Sequence, residues 1–190
     1  YPGARGGKAA ADILFGSCSP SGKLPVTFYK DLEDFPAFED YSMKGRTYRY
    51  LDREPLYPFG YGLTYGKVSV KEAAVVGEIK EGEAFEVSAV LENNGDYDTD
   101  EVLQAYIKDL ESKYAVPNHS LCAFKRVALK KGETVQVTMQ VPYEALMIVD
   151  EEGKKYVDST RFALYVGISQ PDARSISLTG QEPVKVDITL

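Results

Sequence analysis

The sequence predicts a mostly β protein in which a β-sandwich follows a small α/β segment and an irregular connector rich in aromatic residues. Two observations support this prediction. From residue 67 onward, short β-branched or aromatic runs recur at even spacing with turn signals between them, a pattern typical of a β-sandwich. Residues 41–66 are instead crowded with tyrosine, arginine, glycine and proline and show neither helix nor strand periodicity. We therefore expect three parts, residues 1–40, 41–66 and 67–190.

The first part predicts one short helix and one short strand. Residues 5–15 have three alanines followed by three larger apolar residues, and Gly16 follows where a left-handed helix cap would lie. Residues 24–28 predict a strand, and Pro25 marks it as an edge strand because proline has no N–H to donate. Residues 31–40 form an acidic loop.

The third part predicts seven strands. The clearest alternation is in 134–141, where valine and methionine alternate with threonine and glutamine, so one face is buried and the other is wet. Residues 143–147 predict a single helical turn. The strands are expected at 68–76, 84–92, 101–108, 120–129, 134–141, 161–168 and 184–189.

Composition narrows the classes of function. The chain has 190 residues, 44% of them apolar, and a formal charge of −7, which is typical of a soluble globular protein and argues against nucleic acid as a partner. No apolar run is long enough to span a membrane, and the first residues do not resemble a signal peptide. The chain does not begin with methionine, so we interpret it as an excised or processed piece. Cys18 and Cys122 are too few for a disulfide framework and favour a reducing, cytoplasmic compartment.

Two glycine-rich stretches resemble cofactor sites but lack the required residues. A phosphate-binding loop needs glycine where Pro2 stands and a hydroxyl residue where Ala9 stands. Residues 60–62 lack the third glycine and the following helix of a dinucleotide site. We expect no cofactor.

Other patterns do not predict a metal site or a catalytic centre. Asp96, Asp98 and Asp100 have the spacing that opens a calcium loop, but positions 101 and 107 lack the required glycine and glutamate. His119 has no ligand-spaced neighbours and is expected in a surface loop. Carboxylates that lie in acidic loops are typical of a solvated rim rather than of a glycosidase pair: Asp34, Glu39, Asp40, Asp150, Glu151 and Glu152.

The connector is the candidate functional segment. Its tyrosines supply flat faces with polar tips, and its arginines supply planar forks that pair with carboxylates or stack on rings. Such side chains need a surface to lie against, and a sugar, a partner domain and the rest of this chain are the three alternatives. The candidate residues are Arg46, Tyr48, Arg49, Tyr50, Tyr57 and Tyr61.

Three runs carry a resemblance to a known family. They are YPGARGGKAAADILFGSCSPSGKLPVTF, GRTYRYLDREPLYPFGYGLTY and PNHSLCAFKRVALKKGETVQV. In this order they resemble the C-terminal third of glycoside hydrolase family 3, the β-glucosidases and β-xylosidases. The resemblance implies that the chain comprises the end of an α/β sandwich domain, a connector and an immunoglobulin/fibronectin III-like β-sandwich.

The resemblance also implies where the chemistry lies. The family hydrolyses terminal β-linked sugars with retention, using an aspartate on a barrel domain and a glutamate on an earlier part of the α/β sandwich. Neither motif matches a position in this chain, so no catalytic residue is expected here. The implied partners are the barrel and α/β sandwich domains and, through them, a β-linked oligosaccharide. In such an enzyme the connector either joins two domains or shapes a sugar subsite, with the stretch 46–50 reaching the mouth of the active site.

Two alternatives to this accessory role remain open. The sandwich could be an independent carbohydrate-binding module, although the chain has no tryptophan, a common sugar-stacking side chain. It could instead be a purely structural or dimerisation domain. Exposure of Ile13, Leu14 and Phe15 on a severed domain end predicts self-association of the isolated chain.

Overall fold

The structure is a computed structural model that describes residues 3–190, except for the side chain of Asp34. Its first helix, α1 (Gly6–Leu14), confirms the helix predicted at 5–15. Gly16 ends the helix in the left-handed region at φ +76°, and its N–H donates to the Ile13 carbonyl at 3.0 Å. Within residues 3–190, no helix is long and apolar enough to cross a membrane.

The strand predicted at 24–28 is wrong. This segment forms one isolated antiparallel bridge, between Phe28 and Tyr57, and a second backbone contact in which the Leu24 N–H donates to the Tyr61 carbonyl at 2.9 Å. Pro25 lies between these two contacts and has no N–H to donate to a ladder. The acidic loop contains a 3-10 turn (Leu32–Asp34).

The connector contains one helical turn, α2 (Thr47–Tyr50). The sequence had predicted no helix or strand in this segment. Its first residue, Thr47, has φ +53°. Because threonine is β-branched, this left-handed conformation is strained, and the surroundings must hold it in place.

Nine strands follow the connector, and seven of them form the sandwich. The strands predicted at 68–76, 120–129, 134–141 and 184–189 have the predicted bounds, and the other three differ by one or two residues at one or both ends. The strands are β1 (Val68–Val76), β2 (Phe85–Asn93), β3 (Thr99–Asp109), β4 (Ser120–Leu129), β5 (Thr134–Val141), β6 (Ile148–Val149), β7 (Lys155–Tyr156), β8 (Arg161–Gly167) and β9 (Val184–Thr189).

Two antiparallel sheets form the layers of the sandwich. One sheet has the order β1-β2-β5 and the other β4-β3-β8-β9. The core lies between them, because β2 buries alternate residues from Phe85 to Asn93 and β3 buries Leu103, Ala105 and Ile107. This arrangement confirms the mostly β, sandwich fold.

Three small elements complete the chain. The helical turn predicted at 143–147 is a 3-10 turn (Tyr143–Leu146), and this prediction is confirmed. The hairpin of β6 and β7 and the helix α3 (Ala173–Thr179) were not predicted. Asp172 starts α3 by accepting the Ser175 N–H at 2.6 Å.

Candidate functional site: the aromatic connector

A cluster of three rings fastens the connector to the sandwich. The rings of Tyr48 and Phe59 stack with centroids 4.1 Å apart, and both meet the ring of Tyr106 edge to face, at 6.2 and 6.5 Å. Tyr106 belongs to β3 and is fully buried, and this burial raises the pKa of its hydroxyl. Ring pairs of this kind contribute roughly 0.5–1.5 kcal/mol each beyond their burial.

A buried glutamine completes this contact. The Gln104 side-chain amide donates to the carbonyl of Gly60, at 2.9 Å, and to that of Ile168, at 3.0 Å. Its carbonyl accepts the Tyr106 hydroxyl at 2.6 Å. Gly60 has φ +77°, and a Cβ there would lie 2.3 Å from Gln104 Oε1 and 2.4 Å from the Tyr106 hydroxyl oxygen. Only glycine satisfies both the conformation and the close approach.

Asn118, in the loop between β3 and β4, holds the end of α2. Its backbone N–H donates to the Arg49 carbonyl at 3.0 Å, and its side-chain amide donates to the carbonyls of Tyr48 and Leu51, at 3.0 and 2.7 Å. The Tyr48 hydroxyl accepts the Leu121 N–H at 3.0 Å. The free carbonyls at the end of this one-turn helix therefore find donors on the sandwich.

The beginning of α2 is held by contacts to the first part of the chain. The Arg46 guanidinium donates to the backbone carbonyls of Ser42, at 3.0 Å, and Asp40. The Thr47 N–H donates to the Tyr29 hydroxyl at 3.2 Å. The Asp40 carboxylate accepts the Ser42 N–H, and this hydrogen bond, more than the Arg46 charge, lowers the pKa of Asp40.

Tyr57 and Tyr61 lie against the 24–28 segment and do not belong to the ring cluster around Tyr48. Their rings are parallel within 2° with centroids 5.9 Å apart, and Tyr57 meets the ring of Phe28 edge to face at 6.4 Å. Both residues also bind the 24–28 segment through their carbonyls, to the N–H groups of Phe28 and Leu24. These two tyrosines therefore join the connector to the first part of the chain.

Arg49 and Tyr50 have a third environment. Arg49 is exposed, and within residues 3–190 its guanidinium has no hydrogen-bond or salt-bridge partner, whereas Tyr50 is half-buried. Both side chains line a cavity at one end of the sandwich. The six candidate residues thus form three separate groups, and their role toward a substrate stays a prediction.

A buried ion pair lies between Lys23 and Glu101 and was not predicted from the sequence. Lys23 Nζ lies 2.6 Å from Glu101 Oε1, and the side chains are 10% and 0% exposed. The second carboxylate oxygen, Oε2, is buried without a hydrogen-bond partner among the described residues. The sequence pattern did indicate this pair. Glu101 lies on the same face of β3 as the buried Leu103 and Ala105, and a buried carboxylate requires a partner.

The calcium-loop resemblance has a structural explanation. Lys131 binds two of the three aspartates, with its side-chain ammonium 2.8 Å from Asp96 and its backbone N–H donating to Asp98 at 2.8 Å. Asp100 pairs with the Arg126 guanidinium. Within residues 3–190, no group of histidine, cysteine and carboxylate side chains is placed to hold a metal ion.

His119 is more buried than the surface-loop prediction implied. It is half-buried, and its ring meets the Tyr165 ring edge to face at 4.9 Å. Burial, with a smaller effect of Lys108, lowers the pKa of His119 to about 4, so the imidazole is neutral near pH 7. Asp172, whose pKa is raised by burial, is the cap of α3 and not part of a carboxylate pair.

Two family models match the chain. Residues 1–65 match the glycosyl hydrolase family 3 C-terminal domain, and residues 101–170 match the fibronectin type III-like domain. Together these matches cover more than half of the chain. The chain belongs to glycoside hydrolase family 3. The residues correspond to the C-terminal region of the family's β-glycosidases, as the sequence resemblance implied.

The chain is also similar to individual β-xylosidases and β-glucosidases. A xylan 1,4-beta-xylosidase of Xylanibacter ruminicola is 44% identical over 152 residues, which are 80% of this chain and 17% of that protein. A β-glucosidase structure from Erythrobacter marinus is 32% identical and superposes with a TM-score of 0.80 over 100% of this chain and 24% of its own. The Trichoderma reesei beta-D-glucoside glucohydrolase, 24% identical, shares the fold with a TM-score of 0.83 over 99% of this chain and 29% of its own. The chain therefore spans less than a third of the length of each of these three proteins.

Breaking the buried ion pair is expected to destabilise the chain strongly. Lys23→Met leaves the Glu101 carboxylate buried without its counter-ion, which costs about 3–5 kcal/mol. Lys8→Met is the control, because Lys8 pairs with Asp12 at the same 2.6 Å but with 71% of its side chain exposed, and exposed pairs contribute about 0–1 kcal/mol. Urea unfolding measures both. Equal losses in the two variants would contradict a structural role for the buried pair.

The close approach at Gly60 predicts a second difference. Gly60→Ala incurs backbone strain of about 1–2 kcal/mol and the added cost of a clash of about 1–3 kcal/mol. Gly77→Ala has the same strain, at φ +75°, but no atom within 4 Å of the new Cβ. We therefore expect the larger loss of unfolding free energy for Gly60→Ala. The same loss in both variants would show that the connector does not pack on Gln104.

Proposed function

We propose that this chain is a non-catalytic accessory region that braces the catalytic domains of a retaining β-glycosidase acting on terminal β-linked sugars. The matched relatives support the reaction class, since their names are those of β-xylosidases and β-glucosidases. The bracing role depends on one observation, which is where the exposed apolar side chains lie.

Exposed apolar surface is concentrated in the first part of the chain and the connector. Of the large apolar side chains that are exposed within residues 3–190, most precede residue 66. Patches of this kind mark surfaces that another body covers. The catalytic domains are the proposed cover in the whole enzyme, and self-association is the proposed cover in the isolated chain. The most exposed members are Leu14, Phe15, Leu32, Phe38 and Tyr41, at 77–89%.

The chemistry of the reaction assigns catalysis to the other domains. A retaining glycosidase needs two carboxyl groups about 5–5.5 Å apart, one as nucleophile and one as acid and base. Two of the carboxylates considered as a glycosidase pair accept backbone hydrogen bonds instead. Asp40 accepts the Ser42 N–H, and Asp150 accepts the N–H groups of Glu152 and Lys154. This supports a chain that positions catalytic domains without supplying a reacting group.

The connector is proposed to have two roles, joining domains and reaching the active-site mouth. Tyr48, Tyr57 and Tyr61 are assigned to domain joining, because their rings pack on other rings of this chain. Within the stretch 46–50, which was predicted at the active-site mouth, Arg49 is the residue for which we keep that place. This prediction is supported by the Arg49 guanidinium, which has no partner within residues 3–190.

The predicted cytoplasmic location stays a proposal. Both cysteines are free, Cys18 being exposed and Cys122 partly buried. Burial raises the pKa of the Cys122 thiol to about 12, so this thiol is unreactive near pH 7. Free thiols are typical of reducing compartments.

Replacing Tyr48 in the full-length enzyme tests the bracing role. Tyr48→Ala removes a ring that contacts both Phe59 and Tyr106, and it removes the acceptor for the Leu121 N–H. Loss of a fully buried aromatic side chain costs about 3–5 kcal/mol. Tyr48 is half-buried, so we expect a smaller loss and a lower thermal midpoint. The kcat/KM of the folded fraction for a nitrophenyl β-glycoside should be unchanged. Tyr97→Ala, at a tyrosine that is 64% exposed, is the matched control.

Two outcomes would contradict the proposal. One is a stable Tyr48→Ala enzyme whose discrimination between short and long substrates has changed, since that assigns Tyr48 to a subsite. The other is turnover of a nitrophenyl β-glucoside by the isolated chain, which would place catalytic groups on it.

A further inference from the structure

Asn118, His119 and Ser120 form the triplet of an N-glycosylation acceptor, which is asparagine, any residue except proline, and then serine or threonine. It is the only such triplet in the 190-residue sequence. The triplet lies where the loop between β3 and β4 ends, and Ser120 is the first residue of β4. A motif this short is common, so its chemical meaning depends on the surroundings of Asn118.

Both side-chain N–H groups of Asn118 are occupied in the folded chain. The Nδ2 atom donates one hydrogen bond to the Tyr48 carbonyl, at 3.0 Å, and one to the Leu51 carbonyl, at 2.7 Å. An asparagine side chain has these two N–H donors and no others. Nδ2 is the atom to which a glycan is attached, and both of its hydrogen-bond partners belong to the connector.

A glycan on Nδ2 does not fit this geometry. A carbon–nitrogen single bond is about 1.5 Å long, so a sugar carbon in place of either hydrogen would lie within about 2 Å of the accepting carbonyl oxygen. Carbon and oxygen atoms that are not bonded to each other stay about 3.3 Å or more apart. Rotating the Asn118 side chain away avoids the clash but loses both hydrogen bonds to the connector.

We propose that Asn118 is an N-glycosylation site of the unfolded chain, and that a glycan on Asn118 and a docked connector exclude each other. The donor is an oligosaccharide carried on a lipid diphosphate. In the transfer step Nδ2 forms a bond to C1 of the first sugar, Nδ2 loses one proton, and the bond from C1 to the diphosphate oxygen breaks. The lipid diphosphate leaves with the electron pair of that bond. In a compartment without this donor, Asn118 keeps its amide free to hold the connector.

The glycan would release more than one hydrogen bond. The Asn118 backbone N–H donates to the Arg49 carbonyl, and the Leu121 N–H donates to the Tyr48 hydroxyl, both at 3.0 Å. These bonds join the same short segment to α2. Leu51 follows α2 and is buried, so moving this part of the connector also exposes apolar surface. A glycan on Asn118 therefore detaches the end of α2 from the sandwich.

Glycan transfer to the purified 190-residue chain tests whether the docked connector blocks Asn118. The folded chain is incubated with an oligosaccharyltransferase and its lipid-linked oligosaccharide, and the mass of the intact chain reports occupancy. Transfer to Tyr48→Ala should be about tenfold faster than to the wild type, because this variant loosens the connector beside Asn118. Tyr97→Ala, at an exposed tyrosine, is the matched control and should accept glycan as slowly as the wild type.

Two further samples define the limits of the transfer assay. A peptide with the sequence of residues 113–124 is the unfolded reference and should accept glycan fastest. Ser120→Ala removes the hydroxyl residue of the triplet and should accept none.

Amide hydrogen exchange of the glycosylated wild-type chain tests the same exclusion without a variant of the connector. The chain is unfolded in urea, diluted into the transferase and glycosylated before it refolds. The Leu121 N–H should then exchange about tenfold faster than in the unmodified chain, since its acceptor on Tyr48 has moved away, while the amides of β2 keep their protection.

Three results would overturn the proposal. Transfer to the folded wild type at the rate of the peptide would show that the connector does not block Asn118. Absence of transfer to the peptide would show that the triplet is not an acceptor. Unchanged protection of the Leu121 N–H in the glycosylated chain would show that glycan and docked connector coexist.

Discussion

The hydrogen-bonded pair of Gln104 and Tyr106 is the contact on which the arrangement of this chain depends. Both side chains lie on the face of β3 opposite the core residues Leu103 and Ala105, and both are buried because the connector covers them. A buried amide without partners would cost about 1–3 kcal/mol. Carbonyls of the connector and of the β8–α3 segment satisfy it, so the connector must follow one path over the sheet.

A second set of contacts makes the first part of the chain and the sandwich one unit. Lys23 pairs with Glu101, and the hydroxyls of Ser19, Thr64 and Thr99 form a closed set of hydrogen bonds at 2.8–3.1 Å. Both contacts join residues before β1 to the start of β3. The segment that follows α1 is therefore fixed to the sandwich by the side chains of Ser19 and Lys23.

The sequence predicted the secondary-structure elements well, but it did not predict the contacts between the connector and the rest of the chain. In 134–141 the period of two is visible locally, and the strand was predicted to the residue. The 24–28 segment has similar composition but pairs only with isolated connector residues, so its local pattern was misleading. The contact of Gln104 with Gly60 joins residues 44 positions apart and leaves no periodic trace. Glu101 is visible in the sequence pattern, because it is a charged residue at a position where the alternation of β3 expects an apolar one.

Amide hydrogen exchange in a Gln104→Met variant tests the central claim most directly, because methionine approximates the side-chain shape but removes the hydrogen bonds. In the wild type, the N–H groups of Gly60 and Leu121 should be protected by their bonds to Leu24 and Tyr48. In the variant these two should exchange about tenfold faster or more, while β2 amides keep their protection. Fast exchange of the Gly60 amide in the wild type, or unchanged exchange in the variant, would contradict the account.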